Sequence, residues 1–204
     1  MTLYHELGHA VIDQLELPVY GVEETAADVF ALVLAERLHP EDELTEIMGD
    51  MIALMRVEAA TELFDHWAQY MPAGQRLARA ICLFYGAAPG LRGDQARAWG
   101  MPPAKAERCR SDGRDMRAAW GPVLDGLRPP SGRLADSLRF DAGEKRLGRL
   151  RSDMKRVNRA LDLPRPVPVV VEPCGEPNAF YFGDSERIVF CTEYLDELAG
   201  VPLH

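Results

Sequence analysis

The sequence has no long apolar run. No stretch approaches the roughly 18 uninterrupted apolar residues of a membrane-spanning helix, so we predict no membrane span. The first ten residues, MTLYHELGHA, lack the basic start and apolar stretch of a secretory signal peptide. The chain is therefore expected to carry no targeting segment. Its 204 residues are 47% hydrophobic, which predicts a folded protein with one sizeable core.

Positive charge is scarce in the first third of the chain. Residues 1–66 contain fifteen Asp and Glu, but Arg37 and Arg56 are their only Lys or Arg. The formal net charge of -9 also disfavours nonspecific binding to nucleic acid. Ten of the 23 Lys and Arg lie within residues 133–165, where a basic amphipathic helix is predicted over 144–161. Within this helix no aromatic residues interleave with the charges, so we predict a solvated helix face and no nucleic-acid partner.

Cysteine is also scarce, and none of the four cysteines forms a CxxC pair. This spacing disfavours a zinc site made of cysteines. Four cysteines can form two disulfides in three connectivities, or they can remain buried thiols. We favour the sequence-local pairs Cys82–Cys109 and Cys174–Cys191, because the second pair flanks a predicted hairpin. If both pairs form, the protein matured in an oxidising compartment, which favours a secreted or cell-envelope location.

Helical periodicity dominates the chain as far as Leu127. Helices are predicted over residues 2–17, 23–38, 41 to about 70, 72–86 and 114–127, with a Gly- and Pro-rich loop containing a short helix over 87–103. The strand signal lies near the end of the chain, where 167–172 and 187–191 are predicted as antiparallel strands before a helix over 193–198. The predicted class is α+β: a mostly helical domain with a small antiparallel sheet or hairpin.

The composition changes abruptly at Arg128-Pro129-Pro130-Ser131-Gly132. Consecutive prolines followed by Ser and Gly are typical of a linker. We predict a single domain over 1–204, in which a linker at 129–133 joins a helical block, 1–128, to a second block, 134–204, that contains the basic helix and the strands.

His5-Glu6-Leu7-Gly8-His9 is an HExxH motif on the first predicted helix. Imidazoles four residues apart project from one helix face and can bind a single metal ion together. A catalytic zinc ion takes three protein ligands and keeps one position open for water. Glu24, fifteen residues after His9 and across a Pro/Gly turn, can supply the third ligand. The alternative is a surface helix with two unrelated histidines.

The residues around these ligands have predicted roles of their own. Glu6, next to the ion but not bound to it, is the predicted general base that removes a proton from the attacking water. Asp28, one turn after Glu24, can accept the free N–H of a ligating imidazole and so fix its tautomer. Glu23 and Glu24 could instead only complement the dipole at the start of their helix.

HELGHAVIDQL followed by EETAAD resembles the Glu-zincin branch of metallopeptidases. In that branch the third ligand is the Glu of an ExxxD pattern on the helix after HExxH. More narrowly, the chain resembles a bacterial family of metallopeptidase-like proteins defined as a domain of unknown function. That resemblance extends to Gln75-Arg76, Cys82, Tyr85-Gly86, the region of Cys109, and CGEPNAFY with Cys191. It implies a zincin-like fold, Zn²⁺ bound by His5, His9 and Glu24, and a peptide or protein substrate.

The order of the two resembling blocks departs from the family. In zincins the strand element precedes the HExxH helix, whereas here NAFY and RIVF follow it and lie near the end of the chain. We therefore predict a circular permutation whose joint lies at 129–133. Permutation is tolerated when the original termini lie close together. The hypothesis predicts that His204 lies within a short loop's reach of Met1.

The resemblance also implies where a peptide would bind. An edge strand at residues 187–190 would add a substrate strand, with Asn178 and Ala179 lining the cleft. A plain hairpin closed by a disulfide is the alternative. A donor to the transition-state oxyanion is also required, for which Tyr181, Tyr70 and His66 are the candidates.

Three functions remain open from the sequence. The preferred one is a zinc-dependent peptidase that hydrolyses peptide bonds with a metal-activated water. The first alternative is a catalytically inactive zincin-like binding module with a structural metal, in which a protein donor such as His204 closes the fourth position. The second is a metal-free helical interaction protein, which no chelator would destabilise. Neither the substrate's identity nor the oligomeric state follows from the sequence.

Overall fold

The computed structural model describes residues 1–63, 65–68, 70–131, 133–140 and 148–200. Within these residues, the helices and strands are α1 (Thr2–Gln14), α2 (Glu23–Leu38), α3 (Glu41–Thr61), α4 (Ala73–Ala87), α5 (Pro89–Ala98), α6 (Ala106–Gly126), β1 (Leu138–Phe140), α7 (Gly148–Ala160), β2 (Val167–Glu172), β3 (Ala179–Phe182), β4 (Arg187–Cys191) and α8 (Thr192–Gly200). This composition confirms the predicted α+β class.

The chain divides into two compact units. The first unit contains Leu32–Val123 together with Met1, and the second contains Thr2–Ala31 and Leu124–His204. The second unit thus combines the beginning of the sequence with its end. Its composition does not follow the predicted blocks 1–128 and 134–204, because α1 and the start of α2 group with the later block. The single domain and the linker at 129–133 stay predictions.

One core cluster of the first unit lies among α3, α4, α5 and α6. Its buried side chains are Ile52, Ile81, Tyr85, Ala96, Met101 and Cys109. The predicted disulfide Cys82–Cys109 joins α4 to α6. The two helices also approach closely at Gly86 and Gly113: a Cβ at Gly86 would lie 1.8 Å from the Cys109 carbonyl oxygen. Only residues without side chains allow backbones to come this near.

The helix predicted from residue 41 to about 70 was too long. In the structure α3 ends at Thr61, whose hydroxyl donates to the Val57 carbonyl. Two of the apolar side chains that extended the sequence pattern are exposed to solvent: Leu63 is 91% exposed and Trp67 is 92% exposed. Helical periodicity without burial does not provide the packing that stabilises most helices in proteins.

The second unit contains a four-stranded sheet in the order β1-β2-β4-β3. Strand β2 pairs in parallel with both β1 and β4, while β3 pairs antiparallel with β4. Residues on α1 contact β3, α7 contacts β1 and α8 contacts β4. Val167, Val169, Ile188 and Val189 are buried in this unit. The sheet therefore supports α1 through its last strand in spatial order.

Two sequence predictions for the sheet were wrong. Residues 167–172 and 187–191 are parallel rather than antiparallel, because β3 lies between them in sequence and the chain reverses direction twice. Strand β4 is also not an edge strand, since it lies between β2 and β3. The edge at this side is β3. Strand β1 was not predicted at all, because its three residues are too few for a periodic signal.

Helix α6 begins at Ala106, eight residues before its predicted start at 114, whereas the other helices, α3 excepted, lie close to their predicted bounds. The basic helix is α7, and the predicted start of that helix at 144–147 falls outside the described residues. The second predicted disulfide, Cys174–Cys191, joins the β2–β3 connection to the end of β4. Among the described residues, no helix is both long enough and apolar enough to cross a membrane.

Candidate metal centre

Helix α1 is held at both ends by the later part of the second unit. Near its start, the hydroxyl oxygens of Thr2 and Tyr194 lie 2.7 Å apart. At its last residue, the Gln14 side-chain amide donates to the Arg165 carbonyl and accepts from the Arg165 N–H, both at 3.1 Å. Between these anchors Leu3, Leu7 and Val11 are buried on one face, as the sequence spacing predicts. These contacts restrain fraying of the turns that carry the motif.

Gly8 brings α2 against the HExxH helix. A Cβ at Gly8 would lie 3.0 Å from the Ala27 Cα and 3.1 Å from the Phe30 Cδ1. This is tighter than ordinary van der Waals contact, so a side chain at position 8 would push the helices apart. The glycine lies between His5 and His9 and faces α2 one turn beyond Glu24. It therefore sets how near the carboxylate can come to the imidazoles.

The structure brings His5, His9 and Glu24 together. The Glu24 Oε2 lies 3.0 Å from the His5 Nε2 and 3.3 Å from the His9 Nε2. The two Nε2 atoms are 3.3 Å apart. One ligand-type atom from each residue lies within 4.8 Å of the others, a spacing that allows all three to bind one ion. Within the described part of the chain, no fourth His, Cys, Asp or Glu joins this group.

A carboxylate also approaches the other nitrogen of each imidazole. The His5 Nδ1 lies 2.9 Å from the Asp28 Oδ1. The pair is poorly aligned for a hydrogen bond, and this buried nitrogen has no well-aligned hydrogen-bond partner. The His9 Nδ1 forms a hydrogen bond of 2.8 Å with the Glu23 Oε1. Each ring thus has one nitrogen directed to Glu24 and the other to a second carboxylate.

These charges shift the pKa values of all three residues. Burial lowers the pKa of His5, but its contacts with Asp28 and Glu24 outweigh this and raise the pKa to about 9. Burial likewise opposes the rise in the pKa of His9 that Glu24 and Glu23 cause. For Glu24, burial raises the pKa, and the two imidazoles override it and hold the pKa well below its ordinary value. The arrangement favours an ionised carboxylate between two imidazoles.

Glu6 is buried beside this group. Burial raises its pKa to about 7, and the neighbouring His5 and His9 work against that rise. Its carboxylate also accepts a hydrogen bond from the Tyr181 backbone N–H on β3. A carboxyl group whose pKa is near neutrality can both take and return a proton at ordinary pH. The role of Glu6 as general base stays a prediction.

The residues predicted to bind substrate lie on or beside β3. Asn178 immediately precedes the strand, and its carbonyl accepts the Cys191 N–H. Its side-chain oxygen accepts the Ala179 N–H at 2.9 Å. The Tyr181 hydroxyl donates to the Asp13 Oδ2 at 2.6 Å, so in this structure the hydroxyl is hydrogen-bonded to α1. Their contacts with substrate stay predictions.

Comparison with known proteins adds one finding. The model of a family described as "Putative metallopeptidase" matches residues 1–124. The chain belongs to this family. No curated protein and no solved structure matches the chain.

Membership in this metallopeptidase family supports a hydrolase that uses a metal ion and acts on peptides. The matched residues contain His5, Glu6, His9, Glu24 and Asp28. The match does not test the circular permutation. His204 lies outside the described residues, so its distance from Met1 is also untested, and the permutation stays a prediction.

Other predicted residues belong to the first unit. Tyr70 is 40% exposed, and the Arg76 guanidinium lies 4.9 Å from its ring centroid. His66 is exposed. Their proposed role as oxyanion donors stays a prediction. No role was predicted for Gly8 from the sequence, and Glu23 was predicted only to complement the helix dipole. The sequence signals for these roles were positional: Gly8 lies between the two motif histidines, and Glu23 is next to Glu24.

Replacing Tyr181 by Phe is expected to destabilise the protein by about 1 kcal/mol. The substitution removes the hydroxyl that donates to Asp13 and leaves that carboxylate to water, a modest loss because the site is part-exposed. Urea unfolding measures the change. Phe180→Leu, on the same strand, is a control for altered packing without loss of this hydrogen bond. Equal unfolding midpoints for Tyr181→Phe and the unaltered chain would contradict the prediction.

Proposed function

We propose that the chain is a zinc-dependent peptidase. In this proposal His5, His9 and Glu24 bind Zn²⁺, and Glu6 is the general base. Family membership supports a metallopeptidase reaction, and all four residues belong to the second unit. The two disulfides favour an extracellular or cell-envelope location, where such bonds persist.

The observation that carries the proposal is the three-atom group of two imidazole nitrogens and one carboxylate oxygen. Zinc binds these ligand types, and two histidines with one glutamate is a set found in catalytic sites. Structural zinc sites have four protein ligands. The three donors within the described residues therefore fit a catalytic ion better than a structural one.

The metal and the protein have separate tasks in the proposed reaction. When bound, zinc lowers the pKa of a water molecule and polarises a carbonyl group. Glu6 accepts the proton of the attacking water, and the same carboxyl group then returns a proton to the leaving amine. The Tyr181 N–H holds the Glu6 carboxylate during both transfers.

A peptide substrate fits the edge of the sheet at β3. Ala179 pairs with Phe190 and Tyr181 with Ile188 in the antiparallel register. The Tyr181 N–H reaches Glu6, so its backbone groups point away from β4, and strand alternation gives Ala179 the same orientation. The Asn178 side chain and Glu6 already occupy these two N–H groups. We propose that a substrate strand pairs mainly through the carbonyls of Ala179 and Tyr181.

The test is a zinc titration with a stability measurement. We expect about one equivalent of zinc after purification without chelators, and a chelator should lower the melting temperature by at least about 5 °C. Glu24→Gln should lose the zinc, whereas Glu46→Gln, at an exposed position on α3, should keep it. Less than about 0.2 equivalents, with no recovery on adding zinc, would sink the proposal.

A further inference from the structure

The His9 Nδ1 forms a well-aligned hydrogen bond with Glu23, whereas the His5 Nδ1 has no well-aligned partner. The Glu23 Oε1 lies 2.8 Å from the His9 Nδ1. The His9 ring directs its Nε2 toward Glu24, 3.3 Å away. A neutral imidazole has one protonated nitrogen, and a nitrogen that binds metal must be the unprotonated one. If the His9 Nε2 binds the ion, the proton of the neutral ring is on the Nδ1. The Nδ1–H then donates a hydrogen bond to the Glu23 carboxylate.

The position of Glu23 on α2 explains how two neighbouring residues reach one ring. Glu23 and Glu24 are consecutive residues in the first turn of the helix. Consecutive side chains leave a helix about 100° apart, so the two carboxylates approach the imidazole from different sides. One reaches the Nε2 and the other the Nδ1. The pair therefore contacts both nitrogens of a single histidine.

We propose that Glu23 is a positioning residue for the metal centre: it holds the His9 ring in the orientation and tautomer that leave the Nε2 for the ion. This inference rests on the proposed function. Outer carboxylates that bind the second nitrogen of a ligating histidine typically change metal affinity 10–100-fold when removed. Glu23 is the counterpart of Asp28 at His5, with the better-aligned contact.

The competing explanation is that Glu23 acts only on the helix. An acidic residue in the first turn stabilises a helix through its dipole, and this needs no histidine. Asp42 provides the matched control, because it is an exposed acidic residue in the first turn of α3. Replacing Asp42 by Asn removes the same kind of helix charge and leaves His9 unaltered.

The experiment compares zinc dissociation constants of the full chain by competition with a chromogenic chelator. We expect Glu23→Ala to bind zinc about 10–100-fold more weakly and Glu23→Gln to lose less, because the Gln oxygen still accepts from the Nδ1–H. Asp42→Asn should match the unaltered chain. The visible absorption of the cobalt-substituted protein should also change for Glu23→Ala but not for Asp42→Asn.

The measured zinc affinities distinguish failure of the positioning role from failure of the proposed function. If the unaltered chain binds one zinc ion and both Glu23 variants bind it within about twofold as tightly, the positioning role is wrong while the proposed function survives. If the unaltered chain binds no zinc, both fall. Circular dichroism establishes that the variants fold, and the isosteric Glu23→Gln still carries the comparison if the alanine variant does not fold.

Discussion

Replacing Glu6 by Gln is expected to lower peptide hydrolysis by about 10²–10⁴-fold while one equivalent of zinc remains bound. The substitution keeps the size of the side chain but removes the group that accepts a proton. Glu6 is not part of the three-donor group, so metal binding should not depend on its charge. The effect should appear in kcat, because proton transfer belongs to the chemical step.

A mixed peptide library is the appropriate substrate for this measurement, since the specificity of the site is undefined. Zinc content and the unfolding transition are measured on the same samples. Glu46→Gln is the matched control, being the same substitution at an exposed helical position. A Glu6→Gln variant that keeps its zinc and cleaves the library at the unaltered rate would show that another group removes the proton.

Replacing Gly86 by Ala is expected to destabilise the first unit by about 3 kcal/mol or more. The added Cβ would lie 1.8 Å from the Cys109 carbonyl oxygen, which is backbone and cannot rotate away. Overpacking typically costs about 1–3 kcal/mol, and a clash between two helix backbones belongs at the upper end of that range. The Cys82–Cys109 disulfide makes separation of the helices harder, because it fixes them one turn away.

Gly74→Ala supplies the control on the same helix. No atom lies within 4 Å of a Cβ at this exposed position, so the variant should gain stability through the helix preference of alanine, by about 0.5–1 kcal/mol. Denaturant unfolding of both variants gives the comparison. Similar stabilities for the two alanine variants would mean that α4 and α6 are farther apart than described.

The candidate site could be foreseen from sequence because its residues are local. His5 and His9 are one turn apart, and Glu24 follows after a single helix reversal, so helical periodicity alone places them near one another. The supporting contacts were harder to foresee. Gly8 became informative only when its distance to Ala27 was known, and Tyr181 reaches Glu6 from the opposite end of the sequence.

The pairing of the strands was also hard to predict from the sequence. Residues 167–172 and 187–191 were identified as strands from their β-branched side chains, but their relative direction depends on β3, which lies between them. Strand β1 is defined by pairing with β2, a partner that follows only after α7, and its own composition contains little signal. Helix α3 also ends earlier than its periodicity indicated, because Leu63 and Trp67, which follow it, are exposed and do not pack. Pairing and burial are properties of the folded chain, which a local pattern does not encode.

The composition of the second unit has a consequence for the newly made chain. Helix α1 and the start of α2 are synthesised before α3 to α6, whereas β3, the strand that contacts α1, emerges from the ribosome only after those helices. Contacts this distant in sequence close slowly, because the intervening chain must give up much freedom first. Until translation passes β3, α1 lacks the strand that contacts it. Metal loading is therefore expected to be a post-translational event, and a ribosome stalled before β3 should display a nascent chain that retains no zinc.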